Sequence, residues 1–310
     1  MSRRRKGDPV SGWVCLDKPP DMTSTQAVGR VRRAFHAQKA GHAGTLDPLA
    51  TGVLPIALGE ATKTVPFLMD ADKAYRFTIA WGRSTASFDR EGQTTASSAA
   101  RPTLAEVKAA LASFVGEIEQ IPPAFSAVKV GGQRAYDLAR EGLAVELAAR
   151  RVVIYSANVT AQPDTDHIDI ELSCGKGAYV RALVRDLAAG LGACGHVAAL
   201  RRTRVGAMGE DRAISLEKLE DLCDRAAASE ALLPVETALD DIPALAVTQE
   251  DAFRLTQGRS IVLLPRQSEA LQAKLSSGSR TVSAFEGPRV VALCEMRAGR
   301  LNPTRVFHLS

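Results

Sequence analysis

The chain has 310 residues, about two domains' worth at roughly 150 residues per domain. Hydrophobic residues make up 45% and charged residues 24%, too apolar for a disordered chain, and no apolar run approaches the roughly 18 residues of a membrane helix. The net charge of +4 is small, so its distribution carries more information than its sum.

Taken in chain order, Met1 to Lys6 is basic but leads into Gly7-Asp8-Pro9. No apolar segment of a secretory or twin-arginine signal follows, and a cytoplasmic location is expected. A helix is predicted from Ser24 to Phe35, capped by Thr23 or Ser24, with Ala27, Val28, Val31 and Phe35 on one face. Gly41 to Gly59, with its glycines and prolines, reads as a structured loop containing a short helical piece. Tyr75, Phe77, Ile79 and Trp81 alternate with Arg76, Thr78 and Ala80, the pattern of a half-buried strand. Gln93 to Pro102 is small and polar, a surface loop. Thr103 to Glu106 is a capping box opening a helix with Leu104, Val107, Leu111 and Phe114 inward. Val152–Tyr155 and Ile168–Cys174 are strands, and a helix follows with Val180, Leu183, Val184, Leu187 and Leu191 inward. The elements show no regular βαβ rhythm, which predicts an α/β chain of the α+β type with a mixed, largely antiparallel sheet. The acidic, alanine-rich stretch from Asp211 to Asp240 closes a first domain. The last seventy residues, with Val290–Cys294 and Arg305–Phe307, suggest a small β-rich second one, giving units of 1–240 and 241–310.

Cys15, Cys174, Cys194, Cys223 and Cys294 lie far apart with no C-x-x-C pair, which favours reduced thiols over a disulfide framework or a zinc site. Arg30, Arg32, Arg33 and Lys39 lie in a stretch free of acids, and Lys176, Arg181, Arg185, Arg201, Arg202 and Arg204 face only Asp186. Residues 208–251 then hold twelve acids against three bases, and 252–310 nine bases against three acids. One basic stretch alone is an ordinary solvated face; three around an acidic belt point to a polyanion such as nucleic acid.

The densest segment runs from Gly41-His42 through Asp47-Pro48 to Gly59-Glu60-Ala-Thr-Lys63. An isolated Asp-Pro pair is most often a helix cap followed by a first-turn proline. Among glycines and apolar residues, however, the carboxylate sits in a tight, partly dry loop, where its pKa rises unless a cation pairs with it. No G-x-x-x-x-G-K-[ST] occurs, which disfavours a nucleotide triphosphatase.

The stretch G-H-x-G-T-L-D-P-x-A-x-G-x-L-P followed by G-E-A-T-K resembles the TruB family of tRNA pseudouridine synthases. Trp13 to Ser24, with Leu16-Asp17-Lys18-Pro19, is similar to that family's first motif, with Asp21 where a glycine is usual. Lys73-Ala-Tyr75, the segment of Thr85, Ser87 and Asp89, Ile121 to Lys129 with Arg134-Ala-Tyr136, Gly177 to Arg181, and Leu200-Arg201-Arg202 resemble further family segments. The tail from about Asp241 resembles a PUA-type RNA-binding domain.

The resemblance implies isomerisation of uridine 55 in the T-arm loop of tRNA. Asp47 would be the essential carboxylate, Arg181 its partner and Tyr75 a ring stacked on the uracil, although Tyr75 also reads as a strand aromatic of the core. His42 would fill the stack left by an extruded base, Leu200 would support the base, and Tyr179 and Lys18 would complete substrate binding. Arg30, Arg32, Arg33, Arg201, Arg202 and Arg204 would hold phosphates. No metal, nucleotide, redox cofactor, membrane or obligate protein partner is implied, and a monomer is expected. A non-catalytic tRNA-binding or tRNA-folding protein, in which Asp47 is only a helix cap, is the alternative. A guide-RNA-dependent relative needing protein partners is a further one.

Overall fold

The computed structural model describes residues 7–126, 128–130, 132–135, 138, 146–275 and 278–309. Tyr136 and the basic residues 3–6 lie outside the described residues.

In chain order the first two-thirds comprises β1 (Gly12–Lys18), α1 (Ser24–Ala34), β2 (Ala40–His42), β3 (Thr51–Leu58), α2 (Val65–Asp70), β4 (Lys73–Trp81), β5 (Arg83–Thr85), β6 (Thr94–Ser97), α3 (Leu104–Ala112) and β7 (Gly116–Gln120). Then follow β8 (Lys129–Val130), β9 (Gln133–Arg134), β10 (Arg150–Ala161), β11 (His167–Cys174), α4 (Val180–Gly190), β12 (Gly195–Val205), β13 (Met208–Gly209), β14 (Ile214–Ser215) and α5 (Leu216–Asp224). The C-terminal part adds β15 (Ala244–Ala246), α6 (Gln249–Thr256), β16 (Ile261–Val262), α7 (Pro265–Gln272), β17 (Thr281–Glu286), β18 (Arg289–Arg297) and β19 (Arg300–Val306).

The large sheet runs β14-β1-β3-β12-β4-β11-β10-β7, with β2 on β3 and β13 on β12. Within this sheet only β1–β14 and β3–β12 pair in parallel among the described residues, so it is mixed and largely antiparallel, as expected. One apolar core lies between this sheet and the helices, joining Val31 of α1, Leu111 of α3 and Leu183 of α4 to Ile56, Ile79 and Ile170. The C-terminal residues form a separate five-stranded sheet, β15-β17-β18-β19-β16. A second core joins the two sheets, in which Trp13, Val53 and Ala57 meet Val290, Leu293 and Phe307. Glu60 and Lys63 of the G-E-A-T-K stretch lock this interface: Lys63 Nζ donates to Glu60 (2.6 Å) and to the Val306 carbonyl (2.6 Å), and Glu60 accepts from the His308 amide (2.8 Å). None of the described helices is long and apolar enough to cross a membrane.

Local chemistry explains most of the elements. Thr23 caps α1 in a reciprocal box with Gln26, and Thr103 does the same with Glu106 at α3. The helix predicted to Phe35 ends at Ala34, with Phe35 as its C-cap. Asp21, in place of the usual glycine, adopts a left-handed φ of 57°, a conformation Asp tolerates better than most side chains, so the turn is kept.

Two readings are corrected. Gly41 to Gly59 is largely strand, with β3 almost wholly buried and the 3₁₀ turn displaced to Gly59–Lys63. Its apolar run Val53 to Leu58 is the signature of a strand covered on both faces, masked here by Gly52 and Pro55. Pro55 is tolerated because β2 leaves β3 near this position and β12 joins only at Thr51 and Gly52. Gln93 to Pro102 contains the exposed β6, paired with β5. The C-terminal region is β-rich, as expected, and also contains α6 and α7.

Candidate active site

Asp47 heads a single turn, with the Ala50 amide bonded to its carbonyl at 3.1 Å, and no helix follows, which removes the helix-cap reading. Two buried cations position that turn from below. Lys18, at the end of β1, has no exposed surface, and its ammonium donates to the carbonyls of Pro19 (2.8 Å), Met22 (2.7 Å) and Pro48 (3.2 Å). Arg202 of β12 donates to the carbonyls of Val53 (2.8 Å), Gly44 (3.0 Å) and Thr45 (3.4 Å), which fastens the Ala43–Asp47 loop to the sheet. Gly52 makes this possible: its φ is 96°, and a Cβ there would lie 2.2 Å from the Arg202 carbonyl oxygen.

Arg181, in the first turn of α4, lies between two carboxylates. Its Nη2 is 2.9 Å from Asp47 and its Nη1 3.4 Å from Asp89, and it also donates to the carbonyls of Ser87 (3.0 Å) and Phe125 (2.8 Å). The side chain is 5% exposed and that of Asp89 4%, whereas Asp47 is 33% exposed, into the adjoining cleft. Asp89 is the functional group that sequence reasoning passed over. The segment resemblance named Thr85, Ser87 and Asp89 without a role, and the structure makes them one turn. Thr85 Oγ1 donates to the Asp89 carbonyl (2.6 Å), and the Asp89 carboxylate accepts from Ser87 Oγ (2.5 Å) and the Glu91 amide (3.0 Å).

Burial pushes the Asp47 carboxyl above the ordinary Asp range; Arg181 opposes this and Asp89 adds to it. Burial likewise lowers Lys18 to about 8, with Asp21 and Asp47 opposing.

A cavity of about 280 Å³ opens on one side of the Asp47–Arg181 pair, at the small end of the range for ligand sites. Asp47, Tyr75, Tyr179, Arg181, Leu200 and Arg202 all line it. Lys73 also lines it, its ammonium capping the end of α2 through the carbonyls of Met69 and Ala71. Tyr75 stands on β4 beside buried Phe77, and its hydroxyl accepts from Arg202; burial raises its pKa, with Arg202 opposing, so the phenol stays neutral. Tyr179 precedes α4, where Gln120 accepts from its amide (2.8 Å) and donates to its carbonyl (3.2 Å). On the other side of the pair a second cavity of about 610 Å³ is lined by Pro48, Ser87, Asp89, Glu91 and Phe125.

Other predicted site residues lie elsewhere. Lys18 is corrected from substrate binding to a clamp on backbone carbonyls, because its buried ammonium is already saturated. Arg202 is corrected in the same way: although it lines the cavity it is 2% exposed, and its guanidinium is committed to the carbonyls of Val53, Gly44 and Thr45 rather than to a phosphate. Arg201 is spanned by Asp17, in a bidentate pair at 2.9 and 3.0 Å, and by Glu210, so its charge is neutralised within the fold. Arg30 is paired with Glu220 of α5 at 2.7 Å. Arg33 and Arg32 are exposed on α1, and Arg204 is half-buried, donating to the Gly206 carbonyl at 3.1 Å. His42 is half-buried at the end of β2, opposite Ile56, outside the lining of the first cavity.

Known proteins resemble this chain along its whole length. Residues 32–180 match the family model described as TruB family pseudouridylate synthase (N terminal domain), and residues 181–240 match the tRNA pseudouridylate synthase B C-terminal domain. A protein named tRNA pseudouridine synthase B from Caulobacter sp. (strain K31) is 72% identical over 310 residues, all of both chains. Its namesake from Caulobacter vibrioides (strain ATCC 19089 / CIP 103742 / CB 15) is 71% identical over the same span. Among solved structures, a chain of a Cbf5-Nop10-Gar1 complex superposes with a TM-score of 0.73 at 24% identity, covering 96% of this chain and 85% of that one, a likeness of fold.

Proposed function

The chain belongs to the TruB family of pseudouridine synthases, and from that premise we propose that it isomerises uridine to pseudouridine in the T-arm loop of tRNA, at position 55. In this reaction the bond from C1′ to N1 breaks, the uracil turns, and a bond from C1′ to C5 forms. The hydrogen on C5 leaves and N1 gains one, so there is no net redox change.

The observation that carries the reading is the buried guanidinium of Arg181 between Asp47 and Asp89 at the wall of a cavity. A carboxylate that is to act on the sugar or base must be ionised in a site from which the substrate excludes water. Desolvation alone would neutralise it, and Arg181 offsets that cost. Asp89 and the carbonyls of Ser87 and Phe125 fix the guanidinium, so that Asp47 is free to turn to the substrate without leaving a buried cation unpaired. Tyr75, neutral and aromatic, would stack on the uracil, with Leu200 supporting the base and Tyr179 completing the wall. A base in a folded loop reaches this cavity only by extrusion, which costs a few kcal/mol.

We further propose that Arg32 and Arg33 on α1, together with Arg30 and Arg204, hold phosphates, and that His42 fills the stack vacated by the base. Residues 1–240 would form the catalytic unit and 241–310 a PUA-like RNA-binding unit of a cytoplasmic monomer that needs no cofactor and no guide RNA.

The test is tritium released to water from tRNA carrying [5-³H]uridine, using purified protein with no cofactor, guide RNA or second protein. Release of about one equivalent per tRNA, with loss of release when only uridine 55 is replaced by cytidine, is expected. Release that persists in the cytidine-55 tRNA would overturn the position. No release, with tRNA still bound, would leave the non-catalytic alternative.

A further inference from the structure

Tyr155 is a large aromatic on the outward side of its strand, half of its surface exposed. Along β10, Val152 and Ile154 are buried, and pairing with β11 begins at Ile154–Cys174. The next pair is Ser156–Ser173, so Tyr155 is the extra residue of a β-bulge, a device that re-aims a side chain at the expense of ladder bonds. The phenol reaches past β11 to the start of β4, where its hydroxyl donates to Asp72 at 2.9 Å. The same hydroxyl lies beside Gly175, where an added Cβ would stand 3.4 Å away.

Asp72 adjoins Lys73, and both Lys73 and Gly175 line the cavity that contains Asp47 and Tyr75. Tyr155 therefore stands on the rim of that cavity, with half of its surface exposed, as does Met69, which also lines it. Lys176 follows Gly175 and is held by Asp70 at 3.1 Å while remaining largely exposed. An aromatic ring, a pliable thioether and a cation around a cavity mouth have the composition of a stacking platform for single-stranded nucleic acid. Asp70 and Asp72 on the same rim disfavour a phosphate there, which turns an approaching nucleotide base-first.

We propose that Tyr155, flanked by Met69 and Lys176, is a stacking subsite for the base of the nucleotide next to the extruded uridine. The subsite rests on the reading that the cavity takes an extruded uridine. Holding the neighbouring base fixes the direction in which the RNA strand leaves the cavity, and so helps select which uridine of a loop is presented. Tyr155 touches no reacting atom in this scheme; its contribution is to binding and register.

The probe is a T-arm stem-loop RNA with 2-aminopurine placed on the 5′ or the 3′ side of the target uridine, together with the tritium-release assay. At one of the two positions, fluorescence falls on binding the wild-type protein, falls equally with Tyr155→Phe, and does not fall with Tyr155→Leu. Tyr155→Leu raises KM for the stem-loop about tenfold while kcat stays within about twofold. Tyr155→Ser is carried alongside, so that the comparison does not depend on the folding of one variant. Equal quenching and equal KM in the wild type and in Tyr155→Leu, with tritium release intact, would overturn the subsite alone. Absence of release from the wild type would overturn the functional reading and the subsite with it.

Discussion

On α1, Arg32 and Arg33 are exposed and Arg30 meets Glu220 on the helix flank, whereas on β12 Arg202 is sealed against three backbone carbonyls and Arg201 is held between Asp17 and Glu210. The two segments are comparably basic in sequence, and the elements that carry them decide what the charge does. In α1 the inward stripe is taken by Ala27 and Val31, so its arginines stay on the outside. In β12 every second side chain faces inward, and Leu200 and Arg202 share a face with the cavity. A count of basic residues therefore overstates the charge available to RNA. Part of it is structural, serving to hold the turn that carries Asp47.

Removing Arg202 should sharpen this contrast most. Arg202→Leu leaves the carbonyls of Gly44, Thr45 and Val53 unbonded and buried, at a cost of about 3–5 kcal/mol. Urea denaturation reads this directly; a loss below about 1 kcal/mol would mean that the loop holds itself.

Arg181 is the next in size. Arg181→Met should slow single-turnover conversion about 10²–10³-fold, in the range seen when one preorganised electrostatic partner is removed. It should also move the acid limb of the pH–rate profile. On the proposed role of Asp47, activity requires it ionised and so rises as pH passes its pKa. Without the guanidinium that pKa rises further from its already elevated position, so the variant loses a larger share of its rate at pH 6 than at pH 8. An unshifted limb would show that Arg181 does not control the charge of Asp47.

Arg201→Ala breaks pairs that are one-third exposed, and a loss of about 1 kcal/mol is expected, diminished by salt. The smallest effect belongs to Arg32→Ala and Arg33→Ala, each changing stability by less than about 0.5 kcal/mol. These two should instead lower tRNA affinity and reduce the slope of log Kd against log salt by about one for each phosphate no longer neutralised. A greater fall in affinity from Arg201→Ala than from Arg33→Ala would break the comparison.

Elements with a clean period and a cap were readable in the sequence. The helix after Thr103, the β4 alternation and the helix carrying Arg181 all lie close to where they were expected. β3 and β12 were not. β3, covered on both faces, has no alternation to display and its apolar run is broken by Gly52 and Pro55, while in β12 arginines stand where a strand's apolar residues would announce it. The candidate site was legible only through the family resemblance. It named roles for Asp47, Tyr75 and Arg181, but Asp89 was not given a role, since its meaning comes from lying across the fold against Arg181. Lys18 illustrates the converse: a cation inside a motif looks like a ligand for substrate until its three carbonyl partners are seen.

The most direct measurement compares wild type with Asp47→Asn in three readouts on one preparation: tRNA affinity, single-turnover tritium release and thermal unfolding. The folded-state pKa of Asp47 lies above its unfolded value, so between the two the native state binds the extra proton and stability falls as pH rises. At neutral pH the charge is therefore a cost to the fold, while Asp89 still pairs Arg181 when Asp47 is neutralised. Asp47→Asn is expected to bind tRNA within about threefold of wild type and to unfold at the same or a higher temperature. Its conversion should be slower by more than about a thousandfold, on the order of 4 kcal/mol in the barrier. A variant that keeps its rate, or one that loses its rate only because it unfolds or releases the RNA, would contradict a catalytic role for this carboxylate.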